Sequence, residues 1–389
     1  MDIIKFFQGG IFKIVALHSD KVIDVPSSTA SQDGAQLQQW EWGDVINQKF
    51  RVFPVDDVGR YFVIASLASG QVMDVTQNKD TEGAVVQVFP FTGKDNQLFE
   101  LDASTNQTDT YFIRSKYTGR VLNVSGVISD NGTPILQHTA NLSILSSESF
   151  QHKNIRFKFE KVEDSNDNNK NILNILEQVP VSLISEFPEL SSPQKPQVTG
   201  EWRMVGKPFL IPYFMVKDNN SLWQIHESPY YLLTREVCYT LNEDYFTYNN
   251  TASEQEYEVT VIAGFTTEEA ASFSKSTGLE ISGTIEHKVG TSASVDGAFV
   301  AVEVSAETSV SFTASASHTF GYSTSTSLSR HSETAIRRLV KCPKYTSLAV
   351  WNQTSKFTLM RLNKTILKSW EIPEGGIFID DIAIPHIPQ

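Results

Sequence analysis

The stretch Val22-Ile23-Asp24-Val25, then Gly34, Gln38-Gln39-Trp40 and Asn47-Gln48-Lys49-Phe50, decides the fold because it recurs. The second copy reads Val72-Met73-Asp74-Val75, Gly83, Gln87-Val88-Phe89 and Asn96-Gln97-Leu98-Phe99. The third reads Val121-Leu122-Asn123-Val124, Gly132, Gln137-His138 and Asn154-Ile155-Arg156-Phe157, with about nine extra residues before Asn154. The Asp/Asn positions lie 50 and 49 residues apart, and the glycines 49 and 49. Each copy also has a short apolar strand start: Phe12-Lys13-Ile14-Val15, Tyr61-Phe62-Val63-Ile64 and Tyr111-Phe112-Ile113-Arg114. Three copies of short strands punctuated by Gly and Asp/Asn turns predict an all-β domain with threefold pseudo-symmetry over residues 1–162.

The repeat resembles the ricin-B-type lectin family, whose fold is a β-trefoil. That family closes each repeat with Gln-x-Trp; here the aromatic is Phe, in Gln48-x-Phe50 and Gln97-x-Phe99. The resemblance implies an Asp that takes sugar hydroxyls, an aromatic ring stacked on the sugar face, and Asn and Gln completing the hydrogen bonds. An apolar sugar face fits an aromatic plane, and vicinal hydroxyls need convergent partners when buried. The implied first site is Asp24, Gln38, Trp40, Asn47 and Gln48, and the second is Asp74, Gln87, Phe89, Asn96 and Gln97. The third set, Asn123, His138 and Asn154, is expected to be degenerate: Asn replaces the acid, Leu136 stands where the Gln belongs, and His138 replaces the aromatic. Two bland alternatives stay open. The closing Asn, Gln and aromatic also serve core packing, and Trp40 competes with Trp42 for the outward position.

The bulk numbers suit this division. The chain has 389 residues, enough for two domains, with 40% apolar and 20% charged residues. Its net charge is −13, of which residues 1–162 carry −3 and the remainder −10. An acidic chain is a poor nucleic-acid partner. The two cysteines, Cys238 and Cys342, have no Cys/His partners at metal spacing, so no metal or other cofactor is expected and free thiols are favoured over a disulfide. The start lacks a basic segment and a long apolar run, so no secretion signal is expected. No stretch approaches the roughly 18 apolar residues of a membrane helix.

Residues 163–196 are polar and Asn-rich, then briefly helical in pattern through Ile172–Leu176, then marked by Pro188, Pro193 and Pro196; they are expected to be a linker with a short helix. Residues 197–389 are rich in Ser, Thr, Val and Tyr and alternate like long strands. Asp296-Gly297 is a strong hairpin dipeptide. After it Val300, Val302, Val304, Val310 and Phe312 share one face, with Ser, Thr and a few acids opposite; before it Val289 and Val295 share a face. Each arm reaches the roughly 9–11 residues of a membrane strand, although any half-buried antiparallel strand alternates this way.

Pro212-Tyr213-Phe214-Met215-Val216-Lys217-Asp218 and Ser228-Pro229-Tyr230-Tyr231-Leu232-Leu233, with Pro193-Gln194-Lys195-Pro196 before them, resemble stretches of the binary-toxin-like (Tpp, toxin-10-type) insecticidal proteins of Bacillus-type bacteria. The resemblance implies an all-β chain: an N-terminal β-trefoil, then an elongated antiparallel aerolysin-like pore-forming domain. It further implies an intracellular crystalline inclusion in a sporulating bacterium, release, proteolytic activation, binding to cell-surface glycans, homo-oligomerisation at the target-cell membrane and, in some relatives, a second toxin component. The C-terminal Ile377–Pro385 is a candidate for trimming. No phosphate-binding glycine loop, zinc-protease motif or serine-hydrolase elbow occurs, so an enzyme is not expected. A lectin or storage protein without pore activity, and a glycoside hydrolase carrying a lectin module, are the competing expectations.

Overall fold

The computed structural model describes residues 3–7, 10–55, 59–76, 80–104, 108–140, 150–162, 190–196, 200–204, 208–263, 280–288, 297–305, 311–312 and 334–384, together with positions 268, 272 and 275. Two compact units divide it: Met1–Ile175 with Pro212–Tyr230 and Ser305–Phe312, and the remainder.

In the first unit, six strands close a ring: Ile11–Ala16, Phe50–Pro54, Phe62–Ser66, Phe99–Ala103, Thr110–Ser115 and Phe157–Lys161 each pair antiparallel with the next, and the last pairs back to the first. Three hairpins cap the ring, formed by Val22–Asp24 with Gln38–Trp40, Val72–Val75 with Val86–Phe89, and Val121–Val124 with Thr133–His138. This is a β-trefoil, the fold expected from the repeat. Closure leaves the ring no open edge.

The core repeats with the sequence. Ile14, Ile64 and Ile113, then Val25, Val75 and Val124, then Leu37, Val86 and Ile135 form buried triads at matching positions. The closing aromatics Phe50, Phe99 and Phe157 are all fully buried, so they stabilise the core, each by about 1.5–3 kcal/mol relative to exposure. The short helix Ile3–Phe7 adds Phe7, whose ring meets Phe62, Phe159, Phe12 and Tyr111 at 5.1–5.8 Å. The repeat glycines explain themselves. Gly34, Gly83 and Gly132 have φ of +83°, +73° and +82°, where a side chain is strained. Each donates its N–H to the neighbouring repeat, at Val88, Gln137 and Gln39 carbonyls respectively, at 2.9–3.0 Å.

Pro212–Tyr230 belongs to the same unit as the trefoil. Asn220 caps the helix Ser221–Glu227 by accepting from Trp223 N–H at 2.9 Å. Tyr213 Oη donates to Gly70 O at 2.6 Å, Ser221 Oγ to Ser69 O at 3.2 Å, and His226 Nε2 lies 2.9 Å from Leu67 O. Phe53 meets Tyr213, Phe214 and Tyr230 at 5.1–5.6 Å, and Phe91 meets Phe214 at 4.4 Å. A proline-flanked strap thus seats on the second repeat's tight turn.

The second unit is an antiparallel sheet in the order Arg203–Met204, Tyr230–Leu241, Thr346–Arg361, Ile366–Ala383, Gln255–Ala263, Thr334–Cys342. Leu241, Ala349 and Trp351 pack with Leu190 on one patch, and Val259, Val340, Cys342, Leu348 and Val350 on another. Both cysteines are buried and free; Cys238 Sγ donates to Gly200 O and Cys342 Sγ to Thr346 O. Burial pushes both thiols up. Residues 377–383, within the segment 377–385 read above as a candidate for trimming, are the end of an 18-residue strand and pair with Thr346–Asn352.

Glu280–Lys288 and Gly297–Ser305 are neighbouring strands of a separate small sheet, and the second carries Gly297, Val300, Val302 and Val304. Phe312 falls in the short strand Ser311–Phe312. Val289, Val295, Asp296 and Val310 lie outside the described residues, as does the linker helix expected at Ile172–Leu176.

Candidate functional site

Pairing sets the first constellation. Asp24 faces Gln38, and Val22 faces Trp40, two residues along the same strands. Residues two apart on a strand share a face, so the acid, the amide and the indole lie on one side of the hairpin. Asp24 is 3% exposed. Its carboxylate accepts from Gln38 Nε2 and from Asn47 Nδ2, each at 2.8 Å. The Asn47 amide also donates to Val25 O at 2.8 Å, which fixes its orientation. Trp40 is 42% exposed, whereas Trp42 is half-buried with Lys13 Nζ 5.1 Å above its ring. Trp40 is therefore the outward indole.

The second constellation repeats the first. Asp74 faces Gln87, and Val72 faces Phe89. Gln87 Nε2 donates to Asp74 Oδ1 at 2.9 Å, and Asn96 Nδ2 to Asp74 Oδ2 at 2.8 Å and Val75 O at 2.9 Å. Phe89 is half-buried.

Gln48 and Gln97 have a double role. Gln48 accepts from Gly43 N–H and donates to Glu41 O, both at 2.8 Å; Gln97 accepts from Thr92 and donates to Pro90 O. Each braces the loop that follows its aromatic, and each also lies close enough to its acid to favour the charged form. Burial nevertheless dominates and raises both carboxyls above the usual range, with Gln38 and Gln48 opposing at Asp24, and Gln87, Gln97, Asn96 and Lys94 opposing at Asp74.

The third set does not assemble. Asn123 faces the apolar Leu136, and the exposed His138 stands at the ring position. Asn154 Nδ2 donates to Val124 O at 3.0 Å, the counterpart of the backbone bonds of Asn47 and Asn96. The structural half of that asparagine's role survives without an acid to serve. His138 instead lies 3.3 Å from Glu82, which also pairs with Arg120.

One bracing position escaped sequence reasoning. Gln39, fully buried, accepts from Ser19 Oγ at 2.8 Å and donates to Ile128 O and Asp130 O at 2.8 and 2.9 Å. Its third-repeat counterpart Gln137 donates to Thr81 O and accepts from Thr118 Oγ1. A glutamine recurring on the core-facing side of a hairpin was the available signal. Among the described residues, no three His, Cys, Asp or Glu side chains converge as a metal site requires.

Residues 5–138 match a family described as ricin-type β-trefoil lectin domain-like, in two overlapping segments, 5–89 and 46–138. Residues 204–377 match the family described as Insecticidal Crystal Toxin, P42. No curated protein sequence matches the chain. The solved structure of Cry35Ab1 superposes over 96% of this chain and 90% of its own, with a TM-score of 0.60 at 15% identity. The designed threefold-symmetric protein ThreeFoil aligns over 39% of this chain and 99% of its own at 25% identity, with a TM-score of 0.35. A mosquitocidal holotoxin aligns over 63% of this chain and 26% of its own at 15% identity, with a TM-score of 0.34. Residues 5–138 are thus similar to ricin-type β-trefoil lectin-like domains and residues 204–377 to the P42 insecticidal crystal toxin family, and the fold resembles that of Cry35Ab1.

Proposed function

We propose that this chain is an insecticidal pore-forming toxin that docks on galactose-type cell-surface glycans through its first two trefoil constellations, oligomerises, and inserts a β-hairpin into the target membrane. The observation that carries the glycan half is the paired carboxylate: Asp24 and Asp74 are each buried, each held by a cross-strand Gln and a closing Asn, and each flanked on the same face by an aromatic. A carboxylate with remaining acceptor capacity beside a flat ring suits vicinal hydroxyls and an apolar sugar face. Asp24, Gln38, Trp40 and Asn47, with Gln48 bracing, form the first site; Asp74, Gln87, Phe89 and Asn96, with Gln97 bracing, form the second. The P42 toxin match supports the membrane half, and the alternating strand Gly297–Ser305 beside Glu280–Lys288 is the hairpin proposed to insert. Accumulation as a crystalline inclusion in a sporulating bacterium, proteolytic activation and, in some settings, a second protein component complete the proposal.

The decisive assay is dye release from vesicles and cultured insect cells by the protease-treated chain. Release blocked by free galactose supports both halves. Absence of release on cells that demonstrably bind the chain would refute pore formation and leave a lectin.

A further inference from the structure

The third repeat has lost its own constellation, yet its loop frames the first. We propose that Asn131, with Gly132 beside it, is a positioning residue for Trp40: the first site is a composite of two repeats. This rests on the reading of Trp40 as the sugar-stacking ring.

Trp40 is held from both sides in sequence by one foreign loop. Gly132 N–H donates to the carbonyl of Gln39, the residue before Trp40, at 2.9 Å. Asn131 Oδ1 accepts from the N–H of Glu41, the residue after it, at 3.1 Å. The same Asn131 oxygen takes a bond from Lys21 Nζ, which also pairs with Glu41 at 3.3 Å. Behind the ring, the buried Gln39 amide ties itself to Ile128 O and Asp130 O of that loop, and Thr133 pairs with Gln39 in register. The loop also approaches the ring itself. A Cβ on Gly132 would sit in ordinary contact, 3.8 Å from Trp40 Cζ3 and 3.7 Å from Gln38 Oε1, so the loop lies directly against both groups, and it is the φ of +82° that calls for glycine.

Comparison with the other two repeats isolates Asn131. At the second site, Gly34 N–H donates to Val88 O in the same way, but residue 90 is Pro and has no N–H to offer. Asp33, the counterpart of Asn131, bonds Gln71 instead. At the third, Thr139 N–H donates to Glu82, so the frame is complete, but the framed residue is His138. Of the three repeats, a two-sided clamp on an indole or phenyl ring is thus found at the first site. A ring anchored on both neighbours is preorganised for stacking, whereas an unanchored one must be ordered on binding.

The test uses the full chain titrated with lactose in two backgrounds: Phe89→Ala, which leaves the first site to report, and Trp40→Ala, which leaves the second. Asn131→Ala is expected to weaken lactose roughly fivefold or more in the first background, the worth of one hydrogen bond, and to leave the second background unchanged. It is also expected to speed amide exchange at Glu41 and to raise acrylamide quenching of Trp40. Asn131→Asp, which keeps the acceptor, is expected to restore all three. Asn131→Ser, a shorter acceptor, serves as a milder variant at this exposed position. Equal losses in both backgrounds, or unchanged Glu41 exchange and Trp40 quenching, would overturn the inference. If neither the unmodified chain nor either background binds lactose, the sugar reading fails, and the exchange and quenching measurements alone decide whether Asn131 positions Trp40.

Discussion

Alanine at Gly70 and at Gly119 tests how the strap Pro212–Tyr230 sits on the trefoil. These glycines occupy matching tight turns of the second and third repeats, both with φ of +68°, so each alanine suffers the same left-handed backbone strain, about 1–2 kcal/mol. Their surroundings differ. A Cβ at Gly119 meets nothing within 4 Å, whereas one at Gly70 falls inside 3.0 Å of Ser221 C, Ser221 O and Leu222 N. Those are backbone atoms at the start of the helix Ser221–Glu227, and they cannot swing aside as a flexible side chain does. The helix must lift, straining the bonds Tyr213 Oη to Gly70 O, Ser221 Oγ to Ser69 O and His226 to Leu67 O. At about 0.5–1.5 kcal/mol each, losing them costs on the order of 2–4 kcal/mol beyond the backbone strain. The readout is hydrogen exchange of the strap amides Val216, Gln224 and Ser228, which donate within the strap. In Gly70→Ala they should exchange roughly 30- to 700-fold faster, the same energy expressed as an opening equilibrium. In Gly119→Ala they should not change. Equal acceleration in the two variants, or none in Gly70→Ala, would refute the seating of the strap on that turn.

Asp24→Asn is expected to abolish sugar binding at the first site while the trefoil's melting temperature at pH 7 holds or rises, because Asn Oδ1 still accepts from Asn47, its amide donates to a turned Gln38, and the buried charge is gone; lactose titration and thermal unfolding at pH 7 check both. Trp40→Ala should weaken lactose at the first site by one to two orders of magnitude, the loss of a stacked ring of about 1.5–3 kcal/mol, and retained affinity in the Phe89→Ala background would contradict its assignment. Asn154→Ala should destabilise the trefoil by about 1 kcal/mol, seen by urea unfolding, with no effect on lactose affinity. Burial pushes the Tyr213 phenol well above its ordinary value. Its docked contribution is therefore complete below the free tyrosine pKa of about 10 and declines above it as the undocked phenol ionises. Limited proteolysis of 212–230 should rise above about pH 10 in the unmodified chain and stay flat with pH in Tyr213→Phe.

The trefoil was legible because its physics is local and threefold. Gly34, Gly83 and Gly132 mark a left-handed turn three times, and Val25, Val75 and Val124 mark a core layer three times; no single copy would have sufficed. The partners of Asp24 and Asp74 were legible for the same reason, since a cross-strand Gln and a closing Asn keep their spacing. The burial of Phe50, Phe99 and Phe157 also resolves one alternative, as those aromatics belong to the core. Contacts made between repeats left no periodic trace. Asn131 and Gln39 act on residues about 90 positions away, and the strap reaches the second repeat across more than 140. Nothing in Pro212–Met215 announces that its tyrosine will meet Gly70. The pairing of 377–383 was hidden for a simpler reason: an apolar C-terminal stretch gives no sign of its strand partner, Thr346–Asn352, which lies about 30 residues earlier.

The carboxylates account for the pattern in which the third repeat differs from the first two. Burial raises the folded-state pKa of Asp24 and Asp74. A raised pKa in a carboxylic acid means that protonation favours the fold: the contribution is present below the unfolded pKa and lost as pH rises through the folded one. At neutral pH each charged Asp is thus less favourable to the fold than its own protonated form. Such a burden fits the binding role proposed for the two acids. Asn123 is the neutral replacement, and it arrives together with Leu136 in place of the Gln that would have served a charge. Once the acid is gone, the amide opposite has no carboxylate to hold, and an apolar side chain there avoids burying an unmatched polar group. Asn154 and Gly132 persist because their bonds are to backbone carbonyls, Val124 and Gln39, and do not depend on the acid. The third repeat thus lacks the acid and the amide of the two proposed sugar sites and keeps the asparagine and glycine whose bonds are to backbone.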